Sequence, residues 1–446
     1  MPSFVIQPVA RRRGAAERLT TAPLVFAPEL VPRTCRLKRY RKKVVRPVEV
    51  TDSIIAYASP DSTFAVTKRL LDAARRSILI GIYDFSADHA KQLLLNAMRR
   101  GVRVELMLDL DGRTEQNLFD ELARFGADCT PAPSCASKRA KVFRSSHEKV
   151  IVVDDEWSLV QSGNYSDNSI PLNVEDGGDP DHFTTGNRDT GLAVRSRRLA
   201  AFFRRILESD IRLELQGPEA AVAFEAAADT FLVEAAPTRI PDELFPSKTF
   251  ALTSPLSVQP VMSPDNYMDV VPGLLRAARR SILIEQQYIR ATQSEIARLL
   301  SAIKDARDAT PALDVRIVLG KIFSRNDLRK ERANLRELET KYGLQLGRHI
   351  RYVNTDRLVH CHNKMVLIDR DGVLVSSQNW SNAAVTENRE AGLWFRHRGL
   401  SAYLRQIFES DWRTAVRDPT TRRPDAIGPE ALRRARFVKV MAGDYA

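Results

Sequence analysis

The hydrophobic positions of the chain follow two alternating periods. Segments whose apolar residues recur every three or four positions are typical of amphipathic helices, and short apolar runs rich in β-branched residues are typical of buried strands. Their alternation predicts an α/β fold in which helices cover both faces of a mixed sheet. In the first half, the helical patterns span 65–75, 88–99 and 198–208, and the strand patterns span 77–83, 103–109 and 191–195.

The same pattern occurs twice in the chain. The stretch SPDSTFAVTKRLLDAARRSILIGIYD from Ser59 matches SPDNYMDVVPGLLRAARRSILIEQQY from Ser263, and SHEKVIVVDDEWSLVQSGNYS matches CHNKMVLIDRDGVLVSSQNWS further along. The triplet NRD that ends at Asp189 likewise matches NRE at Glu390. Because the matching stretches keep the same order, the chain contains an internal duplication. It therefore predicts two similar lobes, each a mixed β-sheet sandwiched by helices.

The duplication also predicts how the chain is divided. A helical pattern over 219–233, followed by a Pro-rich stretch, separates the two copies, and another helical pattern over 430–440 follows the second copy. We therefore predict a basic N-terminal arm over 1–50, a first lobe over 51–213, an inter-lobe linker with a helix over 214–262, a second lobe over 263–415 and a C-terminal tail over 416–446.

The formal net charge of +12 is concentrated at the N-terminus. Residues 1–47 contain twelve Arg or Lys and only two acids, Glu17 and Glu29. A segment of this kind can hold nucleic acid or an anionic membrane surface, and the alternative is a solubilising arm that lies on the protein surface.

Hydropathy and cysteine usage bear on the compartment. No apolar run approaches the ~18 residues that a membrane crossing needs, and the first arginines follow the short apolar N-terminal stretch, the reverse of an export signal. We expect a cytoplasmic monomer, with peripheral membrane association as an alternative.

The four cysteines form no CxxC pair, so we expect free thiols, with a Cys129–Cys135 bond as the alternative. We expect no metal and no cofactor, since no cluster of carboxylates suits magnesium.

Two copies of the motif His-x-Lys-x4-Asp carry the candidate chemistry. In a strand the His and Lys share a face, whereas the Asp, seven positions after the His, points to the other face. We therefore expect the His and Lys to contact substrate and the Asp to support the backbone. On the next strand, Asn164 and Asn379 can join the same face as the His and Lys. The motif residues are His147, Lys149 and Asp154 in the first copy and His362, Lys364 and Asp369 in the second.

These side-chain types suit a phosphodiester. Lysine neutralises the non-bridging oxygens, and asparagine donates hydrogen bonds to them. One neutral histidine can attack phosphorus while a protonated one supplies a proton to the leaving oxygen. Since each copy offers one histidine, two lobes facing each other across a pseudo-two-fold axis would build a single site. Each imidazole also needs a carboxylate to orient it, and the candidates are Asp189 and Glu390.

The paired motifs and the Asn that follows each of them resemble the phospholipase D superfamily over about residues 55–415. The resemblance implies two similar α/β lobes with the site at their interface, and a covalent phosphohistidine that water or an alcohol later releases. It further implies that His147 is the nucleophile and His362 the acid and then the base. Gln161 and Ser376 depart from the family pattern, which usually has glycine at these positions.

The substrate is left open between two classes. The family resemblance favours phospholipid head-group hydrolysis or phosphatidyl transfer, and the basic arm could bind anionic lipid. The alternative is a metal-independent nuclease acting on DNA or RNA, because basic residues before His147 and in the second copy could line a groove for nucleic acid. A non-catalytic binding module is disfavoured because both motifs are complete. The basic residues are Lys138, Arg139, Lys141, Arg144, Arg325, Arg329, Lys330 and Arg332.

Overall fold

The computed structural model describes residues 35–172, 186–217, 230–235, 245–322, 325–355, 357–420 and 436–441. All of them fall within one compact unit, residues 34–446. In chain order the first half forms β1 (Val48–Val50), β2 (Ser53–Ser59), α1 (Thr63–Ala73), β3 (Ser77–Ile82), α2 (Asp88–Arg99), β4 (Arg103–Leu108), α3 (Arg113–Arg124), β5 (Asp128–Pro131), β6 (Lys149–Val153), β7 (Trp157–Gln161), β8 (Asp189–Arg195) and α4 (Arg197–Leu215).

The described part of the second half repeats this series with three further elements, a strand at each end and a short helix before the last strand of the repeat. It forms β9 (Thr230–Ala235), β10 (Lys248–Ala251), β11 (Leu256–Ser263), α5 (Tyr267–Arg276), β12 (Ser281–Gln286), α6 (Ser294–Ala309), β13 (Asp314–Leu319), α7 (Arg325–Tyr342), β14 (Ile350–Tyr352), β15 (Lys364–Ile368), β16 (Gly372–Ser376), α8 (Asn382–Thr386), β17 (Glu390–Arg396), α9 (Arg398–Thr414) and β18 (Arg436–Met441). The α/β class and the two similar lobes predicted from the sequence are confirmed.

Each lobe is built on an eight-stranded mixed sheet. The first has the order β10-β2-β8-β7-β6-β3-β4-β5, and the second has the order β1-β11-β17-β16-β15-β12-β13-β14. The strands β3, β4 and β5 run parallel, whereas β6, β7 and β8 pair antiparallel. The lobes also exchange an edge strand: β1 pairs with β11 of the second sheet, and β10 pairs with β2 of the first. These two exchanged strands lie in segments predicted as arm and linker.

The central strands are buried on both faces, which explains their nearly continuous apolar sequences. Every residue of β6 and β15 is buried. One hydrophobic cluster contains side chains from both sheets, from α4 of the first lobe and from α9 of the second. Among them are Val152, Phe203, Leu367 and Phe408. This shared core fixes the two sheets against each other, so residues at their facing strand ends are held at defined separations.

Two helical predictions in the connecting segments are wrong. Residues 230–233 belong to β9 and residues 436–440 to β18, and these strands pair antiparallel with each other. Both sequences, TFLVEA and RFVKVM, contain β-branched or aromatic residues at close spacing, and pairing satisfies their backbone groups in a way that local helix propensity did not anticipate. The remainder of the two predicted helices, residues 219–229 and 430–435, lies outside the described residues.

The cysteine prediction also needs correction. Cys35 and Cys135 form a disulfide, with their Cα atoms 5.8 Å apart, while Cys129 and Cys361 remain thiols. The predicted alternative paired Cys135 with Cys129, its neighbour in sequence. In the fold, Cys35 lies instead against the loop that leads to His147, a contact between segments 100 residues apart.

Among the helices of the described ranges, none combines the length and the apolarity needed to cross a membrane.

Candidate active site

Each motif histidine lies just before a central strand and is paired with the opposite lobe. His147 precedes β6, and its backbone N–H donates to the carbonyl of Arg389 at 2.7 Å. His362 precedes β15, and its N–H donates to the carbonyl of Arg188 at 3.0 Å. The relative exposure of the two histidines is only 2% and 1%. The backbone therefore brings both motifs to the interface between the lobes.

The imidazole of each histidine contacts a carboxylate of the opposite lobe. His147 Nδ1 lies 2.9 Å from Oε2 of Glu390, and His362 Nδ1 lies 3.0 Å from Oδ1 of Asp189. When ionised, a carboxylate in this position accepts a hydrogen bond from Nδ1–H and leaves Nε2 to face a substrate. The structure thus places the two acids of the NRD and NRE triplets beside the motif histidines, in a crossed arrangement that the sequence did not specify.

Two serines hold these carboxylates and were absent from the predicted set. The hydroxyl of Ser162 donates to Asp189 at 2.9 Å and accepts the backbone N–H of Thr190 at 3.0 Å. The hydroxyl of Ser377 donates to Glu390 at 2.5 Å and accepts the N–H of Ala391 at 3.0 Å. The usable signal was a serine two positions before each candidate asparagine, on the same strand face.

The two motif lysines are buried beside the histidines. Lys149 Nζ donates to the carbonyl of His147 at 2.7 Å, and Lys364 Nζ donates to the carbonyl of His362 at 2.6 Å. Lys364 Nζ also lies 3.0 Å from Nε2 of His362. Since both ammonium groups are nearly inaccessible, their charges act at short range on any anion that enters the site.

A tyrosine completes the first lobe's side of the site. The ring of Tyr83 lies with its centroid 5.0 Å from that of His147, and Lys149 Nζ lies 5.6 Å from the Tyr83 centroid. The hydroxyl of Tyr83 donates to Asp111 at 3.0 Å. No motif in the sequence pointed to this residue, which follows the end of β3.

The remaining predicted residues fall into two groups. Asn164 and Asn379 are buried just past the ends of β7 and β16, on the same strand ends as the two serines. Asp154 and Asp369 lie at the far ends of β6 and β15 and do not join the histidines. Each accepts hydrogen bonds from three successive backbone N–H groups, those of residues 75–77 and 279–281.

The electrostatics of the two histidine pairs differ. Burial lowers the pKa of His147 well below its usual value, and the charges of Lys149 and Lys364 lower it further. Burial raises the pKa of Glu390 to about 8, against the opposing effect of the lysines. Burial also acts to raise the pKa of Asp189, but the contact with His362 outweighs it, and the net pKa is lowered. Asp189 is therefore ionised at neutral pH, and His147 is held as the free base.

Within the described ranges, no group of three or more His, Cys, Asp or Glu side chains is arranged to hold a metal ion. The expectations of no metal and no cofactor stay predictions.

Two segments of the chain, residues 67–211 and 273–412, match the domain family described as "Cardiolipin synthase, PLD-like domain". Together with the duplicated fold and the paired motifs, this match shows that the chain belongs to the phospholipase D superfamily, a family of phosphodiester-processing enzymes. The resemblance drawn from the sequence is confirmed.

Individual relatives cover smaller parts of the chain. Cardiolipin synthase B of Escherichia coli K12 is 34% identical over 110 residues, which are 23% of this chain and 27% of that protein. The DISARM protein DrmC of Bacillus paralicheniformis is 31% identical over 121 residues, 26% of this chain and 48% of that protein. The chain therefore matches about a quarter and about half the length of these relatives. Phosphatidylserine synthase of Haemophilus influenzae shares the fold, with a TM-score of 0.55 and 14% identity over 87% of this chain and 94% of that one.

Proposed function

We propose that this protein is a phospholipase D-type enzyme that cleaves or exchanges the head group of a phospholipid through a covalent phosphohistidine. The observation that carries the proposal is the pair of buried imidazoles, each held by a carboxylate of the opposite lobe and each beside a lysine. Two histidines with different proton states are what a double displacement at phosphorus needs.

His147 is the proposed nucleophile. Its Nε2 has no hydrogen-bond partner among the described residues, and its lowered pKa keeps the ring neutral. Nε2 can attack when ionised Glu390 holds the ring's proton on Nδ1. In the first step Nε2 bonds to phosphorus while the bond from phosphorus to the leaving oxygen breaks. His362, paired with ionised Asp189, gives its proton to that oxygen. In the second step His362 takes a proton from water or an alcohol, whose oxygen attacks phosphorus and breaks the bond to Nε2.

The other predicted residues stabilise the charge that moves during these steps. Lys149 and Lys364 lie next to the histidines and would neutralise the non-bridging oxygens. Asn164 and Asn379 would donate hydrogen bonds to the same oxygens from the opposite strand ends. Asp154 and Asp369 would act only on the backbone, because their carboxylates are engaged at the far ends of the motif strands.

The substrate class is supported by the relative named cardiolipin synthase B, which favours a phospholipid and, with it, transfer to an alcohol as well as hydrolysis. A nuclease is the second candidate. It is favoured by exposed basic side chains in the described part of the N-terminal segment, Arg36, Lys38, Arg39, Arg41 and Lys42. The same residues could bind an anionic membrane surface.

The two candidates are separated by offering both substrates in the presence of a chelator. Phosphatidylglycerol vesicles should yield glycerol together with phosphatidic acid for hydrolysis or cardiolipin for transfer. Single- and double-stranded DNA and RNA oligonucleotides should stay intact. Shortened oligonucleotides with unchanged vesicles would reverse the assignment. His147→Ala and His362→Ala serve as controls, and each should remove turnover in whichever assay is positive.

The N-terminal segment needs its own test. A truncation that begins at Cys35 keeps the disulfide and removes seven acidic or basic side chains that precede it, of which five are arginines. If residues 1–34 bind polyanions, this truncation should weaken binding to anionic vesicles and lower its dependence on salt. Unchanged binding and salt dependence would show that these residues do not act as a binding element.

A further inference from the structure

Arg389 lies at the centre of a buried ion cluster between the lobes. Its guanidinium donates to Asp265 at 2.6 Å and to Asp210 at 2.9 Å, and all three side chains are completely buried. Asp210 belongs to α4 of the first lobe, whereas Arg389 and Asp265 belong to the second. A buried guanidinium is tolerated only when carboxylates and further acceptors satisfy it, so the group has one permitted position.

Arg188 forms an equivalent cluster in which the roles of the two lobes are exchanged. Its guanidinium donates to both carboxylate oxygens of Asp411 on α9 of the second lobe, at 2.7 and 3.2 Å, and to Asp61 of the first lobe at 3.3 Å. The internal duplication relates Arg188 to Arg389, Asp61 to Asp265 and Asp411 to Asp210. The duplicated chain therefore keeps two inter-lobe clamps, each formed by an arginine and two aspartates.

The backbone of each arginine brackets the histidine of the opposite lobe. The N–H of Arg389 donates to the carbonyl of Ser145 at 2.9 Å, and its carbonyl accepts the N–H of His147 at 2.7 Å. Arg188 makes the same two contacts, with His360 and His362, at 2.8 and 3.0 Å. The next residue in each case is the carboxylate that contacts that histidine, Glu390 or Asp189.

We propose that Arg389 and Arg188 are positioning residues that set the two histidine–carboxylate pairs, each arginine acting on the histidine of the opposite lobe. Because side chains alternate along a strand, the guanidinium points away from the site while the following carboxylate points into it. A displacement of the guanidinium therefore moves the carboxylate and the histidine backbone together. Only the effect on catalysis rests on the function proposed above.

Among the described residues, a tyrosine hydroxyl contacts the Arg389 clamp and not the Arg188 clamp, whereas both clamps have a backbone N–H that donates to the first aspartate, from Lys43 to Asp265 and from Phe245 to Asp61. The hydroxyl of Tyr40 accepts from Arg389 at 2.8 Å and donates to Asp265 at 3.0 Å, and the backbone N–H of Lys43 donates to Asp265 at 2.6 Å. Beside Arg188 the corresponding aromatic ring is that of Phe245, 5.5 Å from the guanidinium carbon. A Tyr40→Phe change therefore perturbs one clamp through its periphery, without removing the buried charge.

The test uses the full chain and four variants: Arg389→Lys, Arg188→Lys, Tyr40→Phe and, as a matched control, Tyr352→Phe. Tyr352 is buried like the clamps and its hydroxyl donates to Glu331 at 2.6 Å, away from both histidine pairs. Imidazole ¹⁵N–¹H spectra, assigned with His147→Gln and His362→Gln, report the tautomer and environment of each ring. These spectra need no substrate, so they remain informative if the proposed function fails.

The expected result is selective. Arg389→Lys should shift the ring signals of His147 and leave those of His362 in place, and Arg188→Lys should do the reverse. Tyr40→Phe should shift the ring signals of His147 in the same way but more weakly, and this result can be obtained even if Arg389→Lys fails to fold. Tyr352→Phe should leave the signals of both rings unchanged. On the identified substrate, each lysine variant should lose roughly 10–100-fold in kcat with little change in KM. The proposal is overturned if the variants change only thermal stability, or if both rings respond alike to either arginine.

Discussion

The two histidines of the site meet carboxylates of different length. Glu390 also accepts from Ser377 and from Asn388, at 2.5 and 3.1 Å, yet burial keeps its pKa near 8. Asp189 accepts from Ser162 and has a lowered pKa because His362 lies beside it. The duplicated motif has therefore diverged at one side chain, and the pKa values of its two carboxyls are shifted in opposite directions.

A pH–rate profile tests this difference. Above about pH 8, Glu390 is ionised, accepts the Nδ1 proton of His147 and leaves Nε2 free to attack; below it, the pair holds one proton more. We therefore expect kcat/KM to rise with pH along a limb centred near 8. Ser377→Ala removes a hydrogen bond that favours the ionised carboxylate, so the limb should move to higher pH, by up to about 1–2 pH units.

The matched control for this prediction is Ser162→Ala, which removes the equivalent hydrogen bond to Asp189. It should leave the limb near pH 8 in place, since it acts on the other pair. A flat or falling profile between pH 7 and 9 in the unmodified protein would contradict the assignment of the limb to Glu390 and His147.

At the scale of elements, the motif aspartates tie strand ends together. Asp154 and Asp369 adopt φ values of 52° and 56°, and each accepts three backbone N–H groups at the start of β3 or β12. Left-handed backbone suits Asp and Asn better than most residues, because their short polar side chains bond locally. The presence of Asp at this motif position in both copies therefore has a structural explanation.

Replacing either motif aspartate should cost stability and spare the chemistry. We expect Asp369→Ala to lower the free energy of unfolding by about 1–3 kcal/mol, since three donors lose their acceptor and alanine strains the turn. Asp369→Asn should lose less, because it tolerates the same backbone. Urea unfolding gives the energies, and activity per folded molecule should be unchanged. Loss of turnover without loss of stability would assign the aspartate to catalysis.

The Cys35–Cys135 bond joins the N-terminal segment to the loop before His147 and closes a loop of about 100 residues. In the chain-entropy account, such a bond stabilises the fold by up to about 4–5 kcal/mol. Cys135→Ser, or a reductant, should therefore lower the melting temperature of the protein, whereas Cys129→Ser in the presence of the intact bond should not. An unchanged melting temperature in the presence of the reductant would show that the bond does not stabilise the fold in solution.

The local sequence pattern was sufficient to predict individual helices and strands, but it was insufficient to predict which distant segments contact each other. The helix at 88–99 and the strands that begin at Ser77 and Arg103 were predicted from period alone and confirmed. The disulfide, the exchange of β1 and β10, and the crossing of Glu390 to His147 depend on contacts between distant segments. A sequence carries no local signal for such contacts, and the strands β9 and β18 were mistaken for helices for the same reason.

At the scale of the whole molecule, several carboxyl groups buried near the lobe interface have raised pKa values. Burial raises the pKa of Glu148, Glu285 and Glu390 to about 8 each. In the unfolded chain these carboxyls would titrate near 4.5, so between those values the folded state binds more protons. Folding therefore becomes less favourable as the pH rises through this window.

We expect the free energy of unfolding to fall between pH 6.5 and about 8.5, by up to about 1.4 kcal/mol per pH unit for each group. The window starts at 6.5 because below it the lowered pKa of His147 acts with the opposite sign. Denaturant titrations at several pH values measure the slope. A Glu148→Gln variant should have a shallower slope than the unmodified protein, and a stability that rises across the window would contradict the buried, protonated state of these carboxyls.

The most direct measurement of the central claim is to trap the covalent intermediate. Bis(p-nitrophenyl) phosphate is a generic diester whose leaving group needs no acid, so His362→Asn should complete the first step and then stall without a base for the second. After an acid-free quench, mass spectrometry should find the nitrophenyl phosphoryl group on His147. His147→Asn should carry no such group. A stalled His362→Asn enzyme with no phosphorylated histidine, or single displacement with inversion at phosphorus, would contradict the account.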